Sequence, residues 1–179
     1  VSECVVSFLS KLFIFEKLRI KRSLKMNVTV EIETPKQKVV TEMLDKLDTY
    51  LSELYPPESN HFPETEQLSC SNTLFCVARY NDIALGCGAA LLKFEQENAY
   101  AEIKRMYVHE EYRGEGVGVK ILKFLHFKIA SKGIYLARLE TGFSQFDAIK
   151  LYEKLGYYRI SPFGDYEPDP LSLFFEKQI

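Results

Sequence analysis

The stretch "MYVHEEYRGEGVGVKILKFL", residues 106–125, begins as a strand, passes Gly114, Gly116 and Gly118, and ends as a helix. A strand that feeds a helix through such a loop presents several backbone N–H groups at the helix N-terminus, where the macrodipole favours negative charge. Glycine lets that backbone come close to a ligand, and Arg113 at the mouth offers a charge-assisted contact to phosphate oxygens. A pyrophosphate is the expected ligand, but not that of NAD or ATP. "GEGVGV" puts Val119 where the dinucleotide fingerprint needs its last glycine, and no acidic residue closes a second strand about 20 residues on. The terminal GK[ST] of a P-loop is missing too. Glycine-rich loops before helices are also often simple turns, so the surroundings have to decide.

Working outward, "NVTVEI" (27–32) alternates as a strand. "TPKQKVVTEMLDKLDTYLSELYP" (34–56) reads as a helix with Thr34 as N-cap, Pro35 in the first turn and a stop at Pro56-Pro57. Its apolar residues Val39, Val40, Met43, Leu44, Leu47, Leu51 and Leu54 recur at helical spacing. "PPESNHFPETEQLS" (56–69) is a polar loop. "NTLFCVARYNDIALGCGAALLKF" (72–94) reads as two strands about an Asn81-Asp82 turn, and "AYAEIKRMYVHE" (99–110) as a third. A helix is predicted over about 117–131. After it come a strand "IYLARLET" (134–141), a helix "QFDAIKLYEKLG" (145–156) closed by Gly156 at C′, and strands "YYRI" (157–160) and "LSLFFEK" (171–177). The order β-α-β-β-β-α-β-α-β-β predicts one α/β domain.

Composition narrows the function classes. The chain has 179 residues, 46% of them hydrophobic and 27% charged, which is enough for one domain with a real core. A net charge of −2 offers no general basic surface, so nucleic acid is not an expected partner. Cys4, Cys70, Cys76 and Cys87 lack CxxC spacing and have no histidine at ligand intervals, so no metal site or disulfide framework is expected. A cytoplasmic location follows as the expectation. Residues 1–25 hold six Lys/Arg and two Glu, leaving the remainder at −6. Their apolar run, Val5 to Phe15, precedes its cations, which is not signal-peptide order, and falls short of the roughly 20 residues that span a bilayer. No membrane partner is expected. The segment reads as an extension ahead of a start at Met26, or else as an amphipathic surface helix, with a single domain over 26–179.

The loop and its neighbours resemble the GNAT superfamily of acetyl-CoA-dependent N-acetyltransferases. Its signature [RQ]xxGx[GA] is met by Arg113, Gly116 and Gly118. A second pattern, roughly NxxAxxLYxKxGF, is met by "QFDAIKLYEKLGY", with Ala148, Leu151, Tyr152, Lys154, Gly156 and Tyr157 in register. Strand order agrees over residues 28–177. The resemblance implies a mixed sheet of about seven strands flanked by helices, in which the fourth and fifth strands splay to admit the pantetheine arm of acetyl-CoA. It implies main-chain contacts from Met106, Tyr107 and Val108, and a pyrophosphate held on Arg113, Gly114, Glu115, Gly116, Val117 and Gly118. Gln145 stands where the family usually has an Asn that contacts pantetheine.

The resemblance also implies roles in catalysis. An attacking amine must be neutral, although its ordinary pKa near 10 keeps it protonated at neutral pH, so a general base helps. Glu102 lies eleven residues before Arg113, the interval at which histone acetyltransferases of the superfamily place their glutamate base. The competing reading of Glu102 is a solvated strand carboxylate paired with Lys104, with ordered water as the base. Tyr152 holds the place that usually protonates the leaving CoA thiolate. Direct transfer of acetyl to a primary amine of a small molecule is therefore expected. The alternatives are a non-catalytic acyl-CoA-binding or sensing module, and a protein N-terminal or lysine acetyltransferase. Homodimer formation is left open.

Other residues receive plainer readings. His61, His109 and His126 are isolated surface or packing residues, and the cysteines are core fillers. Lys104-Arg105 reads as a charged strand edge or as a contact to an acidic acceptor group. The loops "YPPESNHF" and "SPFGDYEPDP" are expected to shape the acceptor pocket, with Asp165, Glu167 and Asp169 either attracting a cationic amine or forming a solvated acidic turn.

Overall fold

Alternation marks the edge strand over 28–32, continuous apolar runs buried on both faces make the central strands over 73–95, and helical spacing makes the long helix that covers them. The computed structural model describes residues 27–59, 65–95 and 98–179. The reading of residues 1–25 lies outside the described residues. Among those described are seven strands: β1 (Val28–Ile32), β2 (Thr73–Tyr80), β3 (Ile83–Glu95), β4 (Asn98–Val108), β5 (Leu136–Gly142), β6 (Tyr158–Ile160) and β7 (Ser172–Gln178). The helices are α1 (Lys38–Leu54), α2 (Thr65–Leu68), α3 (Val117–Ala130) and α4 (Phe146–Lys154).

The strands form one sheet in the order β1-β2-β3-β4-β5-β7-β6. Every neighbouring pair is antiparallel except β4–β5, which is parallel. That pair is joined only at Ala101↔Ala137 and Glu102↔Arg138, and beyond them the two strands part. This is the mixed, splayed sheet expected from the sequence.

Side chains that alternate along the strands split the core in two. On one face Cys76, Ala78, Ala101, Ile103, Ala137, Leu139 and Phe175 pack with Val117, Ile121, Leu122, Leu125 and Ile129 of α3 and with Ile149 and Tyr152 of α4. On the other, Phe75, Val77, Cys87, Ala89 and Tyr107 meet Val40, Met43, Leu44 and Leu47 of α1. Tyr100, Phe163 and Phe174 form a third, smaller cluster with Tyr166 against it.

Three expectations change. Thr34 does not cap the first helix, because Glu33 still donates its N–H to Phe75 O as a continuation of the β1–β2 pairing. The chain must turn first, so α1 starts at Lys38 with Gln37 at the N-cap. The loop after α1 contains a 3₁₀ turn (Pro57–Ser59) and the short α2. Lys104-Arg105 is not an edge, since β4 lies at the centre of the sheet and both side chains are enclosed. Arg105 sits at φ 56 beside a register shift in the β3–β4 ladder, a local bulge that turns its side chain toward α1. There its guanidinium donates both N–H arms to the Asp48 carboxylate.

Candidate active site

Where β4 and β5 part, a cleft runs through the sheet. Its walls come from both faces: Met106 and Tyr152 from the α3–α4 side, and Leu51, Tyr55, Lys104, Arg105 and Glu140 from the α1 side. A ligand entering from one face thus meets one entering from the other. Tyr55, at the end of α1, covers the β5 lip. Its hydroxyl accepts the Ser144 N–H at 3.0 Å, and its ring lies so close to Gly142 that a Cβ there would stand 2.1 Å from it.

The glycine loop begins at the end of β4. A 3₁₀ turn (Glu110–Tyr112) leads to Gly114 at φ 79 and Gly116 at φ 80, the latter serving as N-cap of α3. Left-handed backbone of this kind favours glycine. A Cβ at either position would meet nothing within 4 Å, so the loop faces open space at the N-terminus of a 14-residue helix. Arg113 is tied back by its Nε donating to Val108 O at 3.1 Å. The arrangement fits a pyrophosphate at the loop and an extended arm in the cleft. Gly116→Val would force a β-branched residue into left-handed backbone in this loop, whereas Arg113→Ala removes one peripheral charge. Calorimetric titration with acetyl-CoA is expected to show the larger loss for Gly116→Val, about tenfold or more. Unchanged affinity would reject the loop as the site.

Tyr152 is buried, with its ring 5.7 Å from Tyr157 and 6.4 Å from Phe175. Burial pushes its phenol well above the usual value, and the charge of Glu140 acts in the same direction. It is thus a proton-bearing donor facing the cleft. Gln145 lines the same cleft at the N-cap of α4.

Glu102 is not a solvated carboxylate. It is 4% exposed and accepts the Tyr166 hydroxyl at 2.7 Å, with the Lys104 ammonium 3.1 Å away. Lys104 also donates to Tyr166 Oη at 2.6 Å. Burial, and next the Glu102 carboxylate, hold the Tyr166 phenol far above its usual range. Glu102 lines a second pocket with Tyr100, Phe163, Asp165 and Tyr166, and Lys104 lines both pockets and links them. The sequence reading missed Tyr166 and Glu140, although "LET" and "GDY" stood in view. Of the acidic loop residues, Asp169 accepts the Leu171 N–H at 2.8 Å and so shapes its own turn. His126 meets the Tyr157 hydroxyl at 2.8 Å, and burial pushes its imidazole down to about 4, leaving it neutral at pH 7. Among the described residues no His, Cys, Asp and Glu cluster is arranged for a metal, and no helix is long and apolar enough to cross a membrane.

Comparison with known proteins agrees with this geometry. Residues 71–159 match the family model described as an acetyltransferase (GNAT) domain. The IAA acetyltransferase of Azospirillum brasilense is 40% identical over 153 residues, spanning 86% of this chain and 99% of that one. A structure from Klebsiella pneumoniae subsp. pneumoniae described as an acyl-CoA N-acyltransferase superposes with TM-score 0.70 at 31% identity, covering 84% of this chain and 97% of its own. A GNAT acetyltransferase from Elizabethkingia anophelis with acetyl-CoA bound superposes at TM-score 0.58 over 86% of this chain and 99% of its own, and at 20% identity it speaks for the fold alone. With likeness running along almost the whole of an acetyltransferase, the chain belongs to the GNAT family and is an acyltransferase that uses acetyl-CoA.

Proposed function

We propose that the chain moves the acetyl group of acetyl-CoA to a primary amine of a small molecule by direct attack. The observation that carries this reading is the cleft through the sheet, which joins Met106 and Tyr152 on the cofactor side to Lys104, Arg105 and Glu140 on the acceptor side. Met106, Tyr107 and Val108 offer main-chain groups to the pantetheine, Gln145 a side-chain amide, and residues 113–118 their amides to the pyrophosphate. Tyr55, pinned over Gly142, narrows the acceptor end and supports a small acceptor over a peptide. Acetyl-CoA and the free cysteines Cys70, Cys76 and Cys87 suit a cytoplasmic enzyme.

In this reading Glu102 takes the amine's proton through the hydroxyl of Tyr166 or a water, the amine nitrogen bonds to the acetyl carbon, and the C–S bond breaks. Tyr152 donates to the departing thiolate. The test is release of free CoA across a panel of amines. Absence of transfer to every amine would leave an acyl-CoA-binding module. Glu102→Gln keeps an acceptor for the Tyr166 hydroxyl but cannot hold a proton. It should lower turnover by about 10²-fold and flatten the alkaline rise of rate with pH, because the amine then loses its proton to solvent alone. A loss far below tenfold would assign the work to water or another group.

A further inference from the structure

The acetyl-transfer reading uses the pocket beside the cleft only for Glu102. That pocket encloses about 320 Å³, within the roughly 300–1,000 Å³ common for small-molecule sites. Its floor is one face of the sheet, because Lys93 pairs with Tyr100 and Leu91 with Glu102 across the β3–β4 ladder, and directly opposed residues share a face. Gln67 of α2, with Phe163, Gly164 and Tyr166 from the loop between β6 and β7, completes the lining.

The charges in this pocket are not all matched. Glu102 accepts from the Tyr166 hydroxyl and lies 3.1 Å from the Lys104 ammonium, so those two charges answer one another. Lys93 is half-buried and has no ion-pair or hydrogen-bond partner among the described residues. Asp165 also lines the pocket, but it is exposed, where solvent screens its charge, and it forms no ion pair with Lys93. A lysine at a pocket wall lays its apolar stem along the lining and presents an ammonium with three donors. Leu91 and the rings of Tyr100, Phe163 and Tyr166 supply apolar surface beside it. Lys93 stands level with Tyr100, two residues of strand, or about 7 Å, from Glu102.

We propose that this pocket binds a small organic carboxylate with a compact apolar body, the carboxylate paired with Lys93 and the body set against Leu91 and Tyr166. Such a ligand brings the anion that Lys93 lacks and gains a charge-assisted hydrogen bond that an uncharged amide of the same shape does not. Lys104 lines both this pocket and the cleft, so the bound carboxylate lies next to the site of acetyl transfer. Its binding does not depend on which nucleophile takes the acetyl group.

The experiment titrates the isotope-labelled full chain with hexanoate and phenylpropionate, and with their uncharged carboxamides, and follows backbone amide chemical shifts. Both carboxylates should shift the amides of Leu91, Lys93, Glu102 and Gly164 and bind about tenfold or more tightly than the carboxamides. Lys93→Met keeps most of the stem and removes the ammonium. It should bring the carboxylates down to carboxamide affinity, while the affinities for the carboxamides and for acetyl-CoA stay within about threefold of wild type. Lys93→Arg should keep the preference for carboxylates. Should Lys93→Met fail to fold, seen as lost acetyl-CoA binding, Lys93→Gln is read in the same way. Four results each overturn the site: no binding of either carboxylate, equal affinity for carboxylate and carboxamide in wild type, shifts confined to the 113–118 loop, or an undiminished preference without the ammonium. None of them touches the amine reading, which release of free CoA tests separately.

Discussion

Asp48→Ala should lower the unfolding free energy by about 3 kcal/mol, read as a shift of the urea midpoint with an unchanged slope. Its partner Arg105 has a side chain only 6% exposed, inserted between the centre of the sheet and α1. Removing the carboxylate would leave the guanidinium without the fork that matches it. Breaking a buried pair in this way typically costs about 3–5 kcal/mol. Asp48 itself is 35% exposed, so water repays part of the loss and the lower end applies. Arg105 at φ 56 adds strain that the pair helps to hold. A double variant, Asp48→Leu with Arg105→Met, should recover much of the stability, because an apolar pair of similar volume needs no counter-ion. A loss below about 1 kcal/mol for Asp48→Ala would show that the pair is screened and idle.

Tyr152→Phe should leave acetyl-CoA affinity within a few-fold of wild type and reduce turnover with a responsive amine by about 10²-fold. The ring contacts with Tyr157 and Phe175 survive the change, and only the hydroxyl is lost. A hydroxyl whose pKa is raised by burial is a firm donor but a weak acid, so its contribution belongs at the low end of the range of about 10²- to 10⁴-fold for acid–base assistance. The raised pKa has a second consequence. Ordinary tyrosine ionises near pH 10, and Tyr152 stays protonated above that value, so the wild-type rate should show no fall near pH 10 from this group. Wild-type turnover in Tyr152→Phe at saturating substrate would remove the residue from the mechanism.

Local chemistry made much of this protein legible. Alternation placed β1, helical spacing placed α1, and apolar runs bounded by turn and glycine signals placed the remaining strands and the other two longer helices. Gly156, read as a helix C′ residue, has the left-handed φ of 85 that this position favours. "LYEKLGY" placed Tyr152 in the core beside the cleft. The start of α1 was misread because Thr34 and Pro35 carry a strong local start signal, while the β1–β2 pairing that delays the turn reaches 42 residues along the chain to Phe75.

What the sequence by itself determined was the order of elements, the glycine loop before α3 and the apolar face of α1, since all of these are written within a few turns or a strand length of chain. Tertiary structure alone decided the partners around the proposed acceptor side of the cleft. Tyr166 reaches Glu102 across 64 residues, Ser172 reaches Glu140 across 32, and Arg105 reaches Asp48 across 57. Those partners depend on strand register and on one bulge at Arg105, and a shift of a single residue there moves a side chain from one face of the sheet to the other. Periodicity carries no record of such a shift, so the groups proposed to meet the acceptor become visible only once the strands are paired.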